Sequence, residues 1–200
     1  MNPKTEHTLW TGGAGTVEVS IDRPLAEGIG LAVIAHPHPL FGGTKDNKVV
    51  QTMARAFLQL GYITLRFNFR GVGQSAGSHD NGTGEMHDLV DLTLEAQRVL
   101  LPAHLKTSPV AMAGFSFGAF VCSHAAAQLK SKGVNVGKLL LVGTATSRFE
   151  VAPVPQDSLV IHGEVDDTVP LSTVLDWARP QDLPVVVLPG VEHFFHGKLP

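Results

Sequence analysis

The chain of 200 residues has one cysteine, Cys122. An internal disulfide is therefore excluded. Charge is scarce as well: 16% of residues are charged and the net charge is -3. That balance argues against a nucleic-acid backbone as partner, which calls for a basic surface. No apolar run approaches the length of a membrane span, and the stretch from Met1 to His7 lacks the apolar core of a signal peptide. There is no internal repeat, low-complexity tract or linker. What is present is 44% hydrophobic, enough for one globular domain with a full core. The expectation is a single domain over residues 1–200, soluble, cytoplasmic and without a membrane partner. Cys122 lies among small residues in a helix-forming stretch and reads as buried packing rather than a redox group.

Elements alternate along the chain. Thr16 to Asp22 alternates apolar and polar residues, as a half-exposed antiparallel strand does. Leu31–Ala35, Tyr62–Phe67, Pro109–Ala113, Lys138–Gly143, Ser158–Gly163 and Pro184–Leu188 are short apolar runs that read as buried strands. Helices are expected over Val49–Leu60, Glu85–Leu101, from Ala119 to Ala127 and over Leu171–Ala178, from apolar residues at helical spacing and from Gly61 as a stop. Buried strands alternating with helices imply a mostly parallel sheet covered on both faces. In such sheets ligands bind beyond the carboxyl ends of the strands. His36 to Leu40, Arg70 to Gly73, Ser116, Asp166 and His193 all follow strand ends.

The segment Gly114-Phe115-Ser116-Phe117-Gly118 carries the most chemistry. It has the form G-x-S-x-G between an apolar strand and a helix, the setting of a nucleophile elbow. A serine hydroxyl is a poor nucleophile until a base takes its proton, and the base needs a carboxylate to orient it. The carboxylate is offered by the turn from Gly163 to Pro170. Asp166 is favoured by its place there. Asp167 is the rival and could instead cap the helix beginning near Pro170; Glu164 reads as a solvated loop residue. For the base, His193 follows the last strand, with His196 three residues on as the rival. His162 ends a buried strand and reads as structural. His36 and His38 have the spacing of a metal pair, but no cysteine or carboxylate cluster completes it, so no metal is expected. An oxyanion hole needs two backbone N–H groups. One is expected from Phe117. The other must come from His38 or Leu40, because Pro37 and Pro39 have no N–H.

With these motifs in view, the chain resembles the α/β-hydrolase superfamily over essentially its whole length. It is most similar to the small predicted α/β hydrolases of bacteria. The resemblance is carried by the runs from His36 to Val50 and from Arg66 to Ser75, by the elbow, and by His193 to Gly197. It implies the α/β-hydrolase fold and a serine hydrolase or esterase with Ser116, Asp166 and His193 as its triad, needing no cofactor. The substrate expected is a small acyl ester or thioester. A peptidase or lyase of the same fold, or a non-catalytic binding protein, is the alternative. Only Thr144 to Asp157 separates two strands where many relatives insert a lid, so no cap domain is expected. Asn47 and Arg70 are further candidates near the site; they could equally be a helix cap and a salt-bridged loop residue. Only Phe194 to Pro200 follows His193, where the fold usually has a last helix. Either the chain is shorter than its relatives or a second subunit, as in a homodimer, covers the sheet there.

Overall fold

A computed structural model describes residues 5–199. Eight strands form one sheet in the order β1-β2-β4-β3-β5-β6-β7-β8. They are β1 (Glu6–Gly12), β2 (Gly15–Asp22), β3 (Leu31–Ala35), β4 (Ile63–Phe67), β5 (Val110–Phe115), β6 (Val136–Val142), β7 (Leu159–Gly163) and β8 (Val185–Leu188). β2 runs antiparallel to β1 and β4, and all other pairings are parallel. The helices are α1 (Lys48–Gln59), α2 (Thr83–Leu100), α3 (Phe117–Ser131) and α4 (Leu171–Ala178). Each expected strand and helix is present with ends shifted by a few residues. β1 is the addition. Its side chains are exposed or half-buried, and it is a strand because β2 supplies its hydrogen-bond partners, with Glu6 to Gly12 paired in register against Ile21 to Gly15.

β2 is more buried than its alternation implies, because its polar residues have found partners. Ser20 Oγ lies 2.9 Å from His7 Nδ1. Asp22 is buried against Arg66 on β4, with Nη2 and Oδ2 3.4 Å apart.

The two faces of the sheet carry separate apolar cores. One buries α2, α3 and α4 against Val33, Leu65, Met112, Leu141 and Val160. The other buries Val49, Val50, Met53, Ala54 and Phe57 of α1 against Ile34, Ala113 and Phe115. Those positions recur at the spacing of one helical stripe. Each of the large side chains contributes about 1.5–3 kcal/mol on burial, an upper figure for a compact unfolded chain. Asn47 starts α1 by accepting the Val49 N–H at 2.9 Å. Beyond α1, among the described residues, the turns from Val191 to Leu199 cover this second face. Leu159 and Val186, near its margin, remain 47% and 45% exposed.

The chain leaves β3 toward β4 on one side and returns to β5 on the other. The crossovers diverge there, so a crevice opens at the carboxyl ends of β3 and β5. No cap domain covers it: residues 144–157 between β6 and β7 form a loop without helix or strand. Among the described residues no helix is long and apolar enough to cross a membrane.

Candidate active site

β5 ends at Phe115 and α3 begins at Phe117, leaving Ser116 alone to make the turn. Its backbone has φ 55° and ψ -115°, a conformation that costs a non-glycine residue about 1–3 kcal/mol. The surroundings hold it there: the Ser116 N–H donates to the Val142 carbonyl at 2.8 Å, and its own carbonyl accepts the Ala119 N–H at 3.0 Å. The two flanking glycines are required by contact. A Cβ on Gly114 would lie 2.3 Å from the Gly118 carbonyl oxygen, and one on Gly118 would lie 2.5 Å from that of Ala35. The backbones of β3, β5 and α3 meet at this point with no room for a side chain.

His193 reaches the turn from beyond β8. Its Nε2 lies 3.1 Å from Ser116 Oγ, and its Nδ1 lies 2.6 Å from Asp166 Oδ2. A carboxylate only accepts, so the Nδ1 proton is donated to Asp166 and the Nε2 lone pair faces the serine hydroxyl. The other oxygen, Oδ1, accepts the Thr168 and Val169 N–H groups at 3.0 and 2.7 Å. Both carboxylate oxygens are thereby committed, and Asp166 is buried. The ring of His193 packs against both Phe115 and Phe194, each with its centroid 5.0 Å away.

The rivals stand elsewhere. Asp167 is exposed and, among the described residues, accepts only the Thr168 hydroxyl, at 3.4 Å; it does not cap α4, whose N-cap position is Pro170 and which has no side-chain cap. His196 is exposed and faces Glu192 at 3.1 Å. Glu164 is not merely solvated, for its Oε2 accepts the Gly190 N–H at 2.8 Å and ties the two turns that carry Asp166 and His193. His162 is buried beside the group. Its Nε2 is 2.9 Å from the Val169 carbonyl and 3.5 Å from Asp166 Oδ2, and burial holds its pKa below the ordinary value.

The loop after β3 is built on His36. Its Nδ1 donates to the Pro37 carbonyl at 2.6 Å and its Nε2 accepts the Phe69 N–H at 2.9 Å. Burial pushes its pKa down to about 4. With both ring nitrogens committed, it has no lone pair for a metal. His38 and Leu40 part company in the same loop. Residues 39–41 form a turn of 3-10 helix whose Leu40 N–H donates to His38 Nδ1 at 3.2 Å, and the Leu40 side chain is 69% exposed. The N–H groups of His38 and Phe117 have no partner among the described residues. The His38 ring packs on Phe41, His79 and Phe117, with centroids 4.7, 4.8 and 4.9 Å away. Burial, followed by the neighbouring charges of His79 and Arg148, lowers its pKa.

Ser116, His193 and His38 open onto a pocket of about 310 Å³, which Phe41, Gly43, Asn47, Arg148, Thr168 and Phe194 complete. Asn47 is both the cap of α1 and a pocket wall. Arg70 is neither in the pocket nor free: it holds Asp88 through two bonds of 2.7 and 2.8 Å. Phe41 and Thr168 lie within runs that the sequence marks, but nothing in it singles them or Arg148 out as pocket residues, because each is placed by the path of a loop. A larger cavity of about 930 Å³ lies between α3 and the loop after β6, where Lys130 and Asp157 are the only ionisable lining residues. Nothing there pairs a nucleophile with a base. Cys122 lies fully buried, its Sγ 3.4 Å from the Ala113 carbonyl, and burial pushes its thiol pKa up, so it is inert packing.

A mostly parallel sheet, a strained serine between strand and helix, and a histidine and carboxylate from the next strand ends are the arrangement of α/β-hydrolase enzymes. Known proteins agree. The thioesterase-domain family model matches residues 65–159, the part containing the elbow. XC6422 from Xanthomonas campestris, described as an α/β serine hydrolase without a lid, is 35% identical, with 100% of this chain and 90% of that one covered and a TM-score of 0.87. An α/β serine hydrolase homologue from Coxiella burnetii is 37% identical, with 97% and 91% covered and a TM-score of 0.82. An uncharacterized protein of Rickettsia prowazekii is 28% identical over 94% of this chain and 82% of its own length. The chain belongs to the α/β-hydrolase superfamily, as a small hydrolase of that fold without a lid.

Proposed function

We propose that the chain is a serine hydrolase that cleaves small carboxylic esters or thioesters through an acyl-enzyme. The observation that carries this reading is the continuous chain from Ser116 Oγ through His193 to Asp166, with contacts of 3.1 and 2.6 Å. Ser116 Oγ attacks the acyl carbonyl as its proton passes to His193 Nε2. The carbonyl oxygen becomes negative and is held by the N–H groups of Phe117 and His38, which have no partner among the described residues to give up. Two such donors, fixed before the reaction, are worth about 3 kcal/mol each in the transition state. Asp166 keeps the imidazole in the reactive tautomer and stabilises its positive charge. The intermediate collapses, the bond to the alcohol or thiol breaks, and His193 returns the proton to that leaving group. Water then enters, gives a proton to His193 and its oxygen to the acyl carbon; the carboxylic acid departs and Ser116 regains its proton. No cofactor enters any step. The match to the thioesterase domain supports including thioesters.

A fluorophosphonate probe tests the reading. It should label Ser116, identified by peptide mass spectrometry, and labelling should vanish in Ser116→Ala. A panel of acyl esters and thioesters should then be hydrolysed by the wild type, with Ser116→Ala inactive but folded. His193→Ala should lose several orders of magnitude, because base and nucleophile act as one unit. A protein that neither takes the probe nor hydrolyses any member of the panel is a binding protein on a hydrolase fold.

A further inference from the structure

Arg148 has an unusual position. Of the seven arginines in the chain, the other six each have an ion-pair or hydrogen-bond partner. The Arg148 side chain has no carboxylate and no hydrogen-bond acceptor among the described residues; its guanidinium instead lies over the Phe41 ring, 5.7 Å from the centroid. It lines the same pocket as Ser116 and His193, where it is, among the described residues, the only lining residue with a permanent charge. Among the described residues no carboxylate lines that pocket, since Asp166 is buried behind His193 with both oxygens engaged.

The loop that carries Arg148 is anchored on either side of it. The Thr146 hydroxyl lies 2.8 Å from that of Thr173 on α4. The Arg148 and Phe149 N–H groups donate to the Ala145 carbonyl. Phe149 stacks on Phe120 of α3 with centroids 4.6 Å apart and packs edge-on against Phe117. Further on, the Glu150 carbonyl faces His124 Nε2 at 2.8 Å, and the Val151 carbonyl accepts the Trp177 indole N–H at 3.1 Å. The backbone at Arg148 is thus fixed to the rim of the site, and only its own side chain is left to choose a partner. An unpaired guanidinium that shares a pocket with a nucleophile, with no carboxylate among the described lining residues to compete for it, is suited to a carboxylate or phosphate, which it can bind through two parallel N–H bonds.

Resting on the serine hydrolase reading, we propose that Arg148 sets the substrate class: the preferred ester or thioester bears an anionic group, a carboxylate or phosphate, on the part of the substrate that lies against residues 41 and 148. The group can sit on the acyl chain or on the leaving group, and the two sources separate by experiment. For the acyl side, kcat/KM is compared for the 4-nitrophenyl monoester of glutaric acid and 4-nitrophenyl pentanoate. For the leaving side, the acetyl thioesters of 4′-phosphopantetheine and pantetheine are compared. Arg148 is exposed, and an arginine–anion pair at such a wall gives up to about ten-fold in kcat/KM. The expected result is a charged-over-neutral ratio of that size in one of the two pairs, which also identifies the side that bears the anion. The ratio should fall to near one in Arg148→Gln and at raised salt, and be largely kept in Arg148→Lys. A ratio near one in both pairs with wild-type enzyme that hydrolyses the neutral members overturns the proposal and leaves the hydrolase reading standing. So does a ratio that survives in Arg148→Gln. Failure of fluorophosphonate labelling, with no hydrolysis of any member, overturns the hydrolase reading and this proposal together.

Discussion

Acid should detach the loop after β3 through one buried imidazole. His36 is fully buried, and burial, only partly opposed by its bond to the Pro37 carbonyl, sets its native pKa at about 4 against 6.5 for the free group. Because the native value lies below the unfolded one, the unfolded chain takes the extra proton. The contribution to stability is complete above about pH 6.5 and is lost as pH falls toward about 4. At 1.36 kcal/mol per pH unit the whole difference is about 3 kcal/mol, of which about 2 kcal/mol is lost between pH 6.5 and 4.5. The geometry explains the direction: Nε2 must stay unprotonated to accept the Phe69 N–H. Urea unfolding at several pH values across this window tests it, with His36→Gln as reference, since the amide keeps a donor and an acceptor but does not titrate. His38 and His162, whose pKa values are also lowered, contribute to both proteins and cancel in the difference. The wild type should lose about 2 kcal/mol more than the variant. Parallel losses in the two proteins would refute the reasoning.

Three further outcomes are expected. Asp166→Asn should lower kcat by about four orders of magnitude, because the amide no longer fixes the reactive tautomer, while Asp167→Asn, exposed and away from His193, should be little changed; steady-state kinetics on one ester decides, and equal losses would reverse the assignment of the acid. Gly118→Ala should destabilise the fold by about 1–3 kcal/mol or more, since the new Cβ would fall 2.5 Å from the Ala35 carbonyl oxygen and 2.6 Å from that of His36; a denaturation midpoint equal to wild type would sink that argument. Short acyl chains should be preferred over long ones, with no jump in rate at the aggregation limit of the substrate. A pocket of about 310 Å³ buries few methylenes, each worth about 0.8 kcal/mol only when covered; rates that climb steadily from acetyl to long-chain esters of one alcohol would show a deeper acyl tunnel.

The amino-acid order determined by itself whatever depends on neighbours in the chain. Short continuous apolar runs such as Leu31–Ala35, flanked by glycine and proline, read as buried strands, and the stripe of Val49, Val50, Met53 and Phe57 reads as one face of a helix. The two glycines around Ser116 mark a turn too tight for side chains. Those local patterns were enough for the α/β class, for the order of its elements and for the elbow. What the sequence could not separate were candidates one to three positions apart, which the tertiary structure sets in different places. Asp166 and Asp167 are chemically identical, and only the path of the turn after β7 sends the first toward His193, 27 residues on, and the second to solvent. His38 and Leu40 both have an N–H, but the 3-10 turn uses the one on Leu40. β1 was not legible because an exposed edge strand owes its conformation to the hydrogen bonds of its partner rather than to its own periodicity. Arg148 was not legible for a related reason: nothing in residues 144–157 predicts that packing Phe149 on Phe117 and Phe120 would carry the neighbouring guanidinium to the pocket. Contacts between residues distant in sequence are set by how helices and loops pack on the sheet, and a linear pattern records the faces that will be buried but not which residues will meet there.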